Sequence, residues 1–175
     1  MTSEYSNSPD DQLSAGDANQ YLTFVLNGEE YGVEILRVQG IQGWDTVTPI
    51  PNSPDFVLGV MNLRGAIVPI IDLRKRFNME TIPHGPTTVI IVVKVESADK
   101  PRTIGMVVDG VSEVYRLDDA NIQALPEVGA SGVSSDYVKG LSTVDEKMLI
   151  LLNIDKLFSG NELNHDAPTP MAKTA

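Results

Sequence analysis

Residues 56–77 read FVLGVMNLRGAIVPIIDLRKRF, and residues 137–158 read YVKGLSTVDEKMLILLNIDKLF. The two strings align without a gap at an offset of 81. The alignment pairs Phe56 with Tyr137, Val57 with Val138, Gly59 with Gly140 and Val60 with Leu141. It continues through Val68 and Leu149, Ile70 and Leu151, Leu73 and Ile154, and Phe77 and Phe158. Upstream, Gly32, Val38 and Ile41 correspond to Gly105, Val111 and Val114 at an offset of 73. The difference of eight matches the small-residue stretch around Glu127–Val133. Self-similarity at this spacing makes the chain a tandem of two related units of about 70 residues.

Each unit reads as short strands. Tyr21–Leu26 is rich in aromatic and β-branched residues, Asn27-Gly28 suits a tight turn, and Tyr31-Gly32-Val33 can return as its partner. Val57–Val60 and Ala66–Leu73 flank a second hairpin at Asn62-Leu63-Arg64-Gly65, and Thr87–Val95 with Thr103–Val108 form a third pair. Pro69 cannot donate to a ladder, so it should face an edge or a bulge. Met148–Leu152 is apolar throughout and reads as a strand buried on both faces. Helical signals are brief: Ser53-Pro54-Asp55 as a cap followed by proline, Asp72–Phe77, and Asp155–Phe158. Small units of about five strands with tight turns close into barrels, which removes exposed sheet edges. Two barrels side by side leave an apolar seam for a ligand or partner.

The 175 residues carry 13 basic and 24 acidic side chains, a net charge of −11. The stretch 1–19 and the stretch 161–175 are polar and acid-rich without apolar periodicity, and read as disordered tails. The domain reading is therefore a first barrel over 20–84 and a second over 85–160. An acidic surface repels phosphate backbones, which argues against nucleic acid as a partner. No apolar run is long enough to span a bilayer and no leader opens the chain, so the protein reads as soluble and cytoplasmic.

The sequence offers little catalytic chemistry. The absence of cysteine removes thiolate nucleophiles, disulfides and Cys-based metal sites. Of the two histidines, His84 lies in Pro83-His84-Gly85-Pro86 and His165 in the C-terminal tail, and both read as solvated side chains. No nucleotide-binding or hydrolase motif occurs. Asp72, Asp109 and Glu113 leave a paired-carboxylate site as an alternative, although Asp72 and Asp109 read more simply as helix caps. The residues predict no enzyme, no metal and no cofactor.

Gly59–Gly65 (GVMNLRG) followed by Val68–Leu73 (VPIIDL) is similar to the signature of CheW-type chemotaxis coupling proteins. Tyr31–Gln39, Gly105–Val114 and Met148–Leu157 match that family as well, so the resemblance covers Tyr21–Phe158. It implies an all-β fold of two tandem, intertwined five-stranded SH3-like β-barrels with a few short helices. It also implies a non-enzymatic scaffold that bridges transmembrane chemoreceptors to the histidine kinase CheA, at receptor arrays on the inner face of the membrane and without inserting into it. Carried over by position, Val38, Gly59, Arg64, Val89, Val111 and Val114 resemble residues of receptor coupling around the inter-barrel groove. Leu22 and Ile35 resemble the apolar face that meets the kinase's regulatory domain. One departure stands out: where the family often has Val-Gln-Glu-Ile, this chain has Val38-Gln39-Gly40-Ile41, while the second unit keeps Glu113 at the equivalent place.

Overall fold

The computed structural model describes residues 20–96, 101–124 and 135–158. Both expected tails and the Glu127–Val133 stretch lie outside the described residues. The first unit supplies β1 (Gln20–Leu26), β2 (Glu29–Glu34), β3 (Val38–Gly43), β4 (Val57–Leu63), β5 (Ala66–Asp72) and α1 (Leu73–Arg76). The second supplies β6 (Val89–Val95), β7 (Arg102–Val108), β8 (Gly110–Arg116), β9 (Val138–Val144), β10 (Lys147–Leu152) and α2 (Ile154–Leu157). Their sheet orders are β8-β1-β2-β10-β9, here barrel I, and β3-β6-β7-β5-β4, barrel II.

Neither barrel is made from one unit. Each unit keeps its first hairpin in one sheet and sends its last three strands to the other. The contiguous division at 84/85 therefore falls between β5 and β6, inside barrel II. The exchange is joined by two equivalent parallel pairings. Leu151 of β10 lies opposite Gly32 of β2, and Ile70 of β5 lies opposite Gly105 of β7. A Cβ on Gly32 would stand 2.9 Å from Leu151 Cδ2, and one on Gly105 would stand 2.7 Å from Ile70 Cδ1. The absent side chain lets the crossing strands approach.

Closure uses the same device twice. After β3, Thr48 exchanges both backbone hydrogen bonds with Val60 on β4, each at 2.9 Å. After β8, Gln123 does the same with Leu141 on β9, at 2.8 and 2.7 Å. Val60 and Leu141 are repeat partners, so the end strands of both sheets are tied identically.

The main core spans both barrels. Leu22, Phe24, Tyr31 and Leu152 of barrel I pack with Ile71, Val93, Ile104 and Met106 of barrel II, together with Phe77 and Phe158 after the helices. Smaller clusters fill the far interior of each barrel.

Four local readings change. Pro69 sits on an interior strand, yet the β5–β7 ladder takes only Ile70, Ile71 and Asp72, so the proline ring falls outside it. Met148 is 55% exposed: β10 pairs with β2 only over Leu149–Leu151, and residues before that point outward. Ser53-Pro54-Asp55 forms a turn, in which the Val57 amide donates to the Pro54 carbonyl, and starts no helix. Asp109 leads into β8 and caps nothing, whereas Asp72 does cap α1 by accepting from the Arg74 amide.

Both β4–β5 and β9–β10 turn in two residues with positive φ, Arg64-Gly65 in one and Asp145-Glu146 in the other. The geometry suits glycine at the second position, and Glu146 holds it at φ 66°. Glu146→Gly should raise stability by about 1 kcal/mol, read as a higher denaturant midpoint with unchanged slope. No change would show that the turn carries no strain.

Candidate docking surfaces

The seam between the barrels is filled and latched. Val38, Val89, Val111 and Ile35 are half-buried and pack on the edge of the shared core. Arg76 is sandwiched between the repeat-equivalent rings of Phe56 and Tyr137, at 4.8 and 4.9 Å from their centroids. It also donates to the Leu157 carbonyl at 3.0 Å. Two bidentate ion pairs fasten the strand crossovers to the helices. Arg37, between β2 and β3, donates to Asp155 of α2 at 2.8 and 2.6 Å. Asp109, between β7 and β8, accepts from Arg74 of α1 at 3.0 and 2.7 Å. Arg74 and Asp155 are repeat-equivalent, so the same latch is built twice with its polarity reversed. A groove at the seam, bordered by Glu34, Arg37, Lys139 and Asp155, holds about 170 Å³. The expected open apolar seam is here a packed core with a polar rim.

Burial pushes the Asp109 carboxyl up, but the Arg74 guanidinium, the Asn27 amide and the nearby positive charge outweigh it and hold the group below the ordinary carboxylate value. A group depressed by folding contributes stability above its unfolded value and loses it as pH falls through the folded one. Asp109→Asn should cost about 2 kcal/mol at neutral pH. That is less than for a fully buried pair, because the two side chains remain 11% and 22% exposed. The gap between variant and parent should stay constant above about pH 4 and close below it. A gap that persists at pH 2 would contradict the assignment.

The residues expected at partner contacts do not form one surface. Leu22 is 4% exposed and belongs to the shared core, so its side chain is not offered to a kinase. Gly59 is buried, with φ 148°, and its Cα faces the Thr48 carbonyl: its role is to admit the closing strand. Ile35, Val38, Val89 and Val111 line the seam. Val114, 46% exposed, stands on the outer face of barrel I, and Arg64 stands at a turn of barrel II. The three acids of the alternative catalytic reading have separate partners: Asp72 caps α1, Asp109 holds Arg74, and Glu113 accepts from the Tyr115 hydroxyl. Among the described residues, no group of three or more His, Cys, Asp or Glu is placed to hold a metal.

The open surfaces lie on the outer barrel faces, and they repeat. Ile41 and Ile67 of barrel II are 48% and 63% exposed; their repeat partners, Val114 and Met148 of barrel I, are 46% and 55% exposed. On barrel II the face is a groove of about 810 Å³ that includes Gly40, Ile41, Arg64, Ile67 and Arg102. A Cβ on Gly40 would meet nothing within 4 Å, so the missing acid widens this groove. On barrel I a second groove, about 600 Å³, runs past Glu29, Glu30, Leu141 and Met148. The rims differ in sign at matched positions: Arg64 against Asp145, and Arg102 against Glu29. Asp45 borders the first groove and Lys147 the second, so each rim is mixed, with basic residues in the majority on barrel II and acidic ones on barrel I. Sequence reading passed over Ile67 and misplaced Met148, although aligning the repeats puts them together.

The CheW-like domain family matches residues 20–162. The chemotaxis protein CheW of Klebsiella aerogenes is 46% identical over 144 residues, covering 82% of this chain and 84% of that protein. A probable chemotaxis protein CheW of Rhizobium etli is 38% identical, covering 86% and 93%. The crystal structure of the scaffolding protein TtCheW from Thermoanaerobacter tengcongensis superposes with a TM-score of 0.72 at 33% identity, covering 83% of this chain and 90% of that one. With both barrels, both latches and both outer faces inside the matched span, the chain belongs to the CheW-like family.

Proposed function

We propose that this chain is a non-enzymatic scaffold of chemotaxis signal transduction, coupling chemoreceptors to the histidine kinase CheA. The observation that carries the reading is the pair of repeat-equivalent apolar positions on the two outer faces, bordered by rims of opposite net charge. Two faces on one rigid body can hold two partners at once, and opposite rims keep each partner to its own face. Each face is small, so each contact is weak alone and gains strength from the geometry of an array. Receptor rearrangement then reaches the kinase as a change in the free energy of its docked state. The scaffold works from the cytoplasmic side; no helix among the described residues is long and apolar enough to cross a membrane.

Arg64 is the rim charge to test, exposed and held at a turn whose backbone does not depend on its side chain. Arg64→Asp should leave the circular-dichroism spectrum and melting unchanged while weakening capture of receptor or kinase at least about tenfold. Parental capture and normal swimming behaviour in that variant would remove Arg64 from the contact.

A further inference from the structure

We propose that His84 and Trp44 form a proton-sensitive clip that fastens the segment between α1 and β6 to barrel II. The imidazole lies over the indole with ring centroids 3.8 Å apart and planes 25° from parallel. Its Nε2 is 3.8 Å from Asp72 Oδ2, on a carboxylate side chain only 7% exposed. The other oxygen of Asp72 is taken, accepting from the Arg74 amide at 2.9 Å. Trp44 immediately follows β3 and packs on the cluster of Met61, Val68 and Ile70 inside barrel II. Its amide donates to the Thr88 carbonyl at 3.1 Å, and the Gly85 amide donates to the Thr88 hydroxyl at 2.8 Å. One stacked pair and one turn therefore hold the whole Pro83–Thr88 stretch against the strand that closes the barrel.

The charged groups on the surrounding elements are few. Asp72 ends β5 and is the acid within reach of the ring. On α1, Arg74 is committed to Asp109 and Lys75 lies 3.8 Å from Asp55. Asp45 follows Trp44 and Glu80 lies in the same connecting segment, both negative. Neutral imidazole stacks on indole by dispersion; imidazolium adds attraction to the ring face and to the buried carboxylate. Histidine is the side chain that changes charge in the near-neutral range. Acidification thus tightens the clip. Asp45, next to Trp44, also borders the barrel II groove beside Ile41 and Gln42. The inference stands on the stack and the carboxylate, independently of what docks in the groove.

Trp44 is the single tryptophan of the chain, which gives the clip its own reporter. A stacked imidazolium quenches indole emission, so lowering the pH from about 8 to about 5 should reduce Trp44 emission by roughly half in one transition. His84→Gln should abolish that transition while leaving His165 in place. Asp72→Asn keeps the capping oxygen and should shrink the added amide protection seen at pH 5. Amide exchange at Gly85 and Thr88 should be more protected in the parent than in His84→Gln, by a wider margin at pH 5 than at pH 8. An emission transition that survives in His84→Gln, or equal protection at pH 5, overturns the proposal.

Discussion

Replacing Gly59 by alanine should cost about 4 kcal/mol or more, enough to unfold a marginally stable domain at 37 °C. The added Cβ would stand 2.1 Å from the Thr48 carbonyl oxygen, 2.6 Å from its carbon and 2.7 Å from Val47 Cγ1. Two of those atoms are backbone, and they belong to the bridge that closes barrel II. The φ of 148° adds strain that any side chain would feel. The repeat supplies an internal control. At Gly140 the nearest atom is the Cγ2 methyl of Ile122 at 2.5 Å, with the Gln123 carbonyl oxygen at 2.9 Å, and φ is not positive. Gly140→Ala should therefore cost roughly half as much, since the bridge carbonyl stands at 2.9 Å instead of 2.1 Å and the backbone there carries no positive-φ strain. Urea denaturation of the two variants checks the ranking; equal midpoints would refute it. A binding defect in a Gly59 variant would follow from a damaged barrel, not from a lost contact.

Ile67→Lys and Met148→Lys should each weaken one interaction and spare the other. Both side chains are already more than half in water, so the fold loses little and the variants should melt near the parent. At a docked face the same change buries an unpaired ammonium in place of an apolar contact, and binding should fall at least about thirtyfold. Because the two positions are repeat-equivalent but lie on different barrels, the expected pattern is complementary. One variant loses a partner that the other retains. Two variants that lose the same partner, or neither, would contradict the assignment of one partner to each face.

The barrels were legible because their signals are local. Asn27-Gly28 announces a hairpin, alternating apolar runs announce strands, and two aligned 22-residue strings announce two units that must share a fold. The exchange of strands between units was not legible from those patterns, because pairing β2 with β10 instead of β5 leaves every burial alternation unchanged. The intertwined order came only through the family resemblance. The glycines at Gly32 and Gly105 are the one trace the crossing leaves in the sequence. For the surfaces, position alone misled. Leu22 sits on a strand whose neighbours Tyr21, Thr23 and Phe24 are also buried, since the sheet packs on both sides there. Met148 sits in an apolar run whose first residue outruns its parallel partner. Charge was more informative: Arg64 against Asp145 is visible in the bare alignment, and it becomes meaningful once the structure places both residues on matching turns.

The coupling role is tested most directly by asking whether the chain alone joins the other two components. Membranes bearing the cognate chemoreceptors are sedimented with purified CheA, with and without this protein. The kinase should enter the pellet only when the chain is present, and Ile67→Lys or Met148→Lys should each reduce the amount recovered. Kinase that pellets equally in its absence, or a chain that pellets with receptors and brings no kinase, would contradict that role.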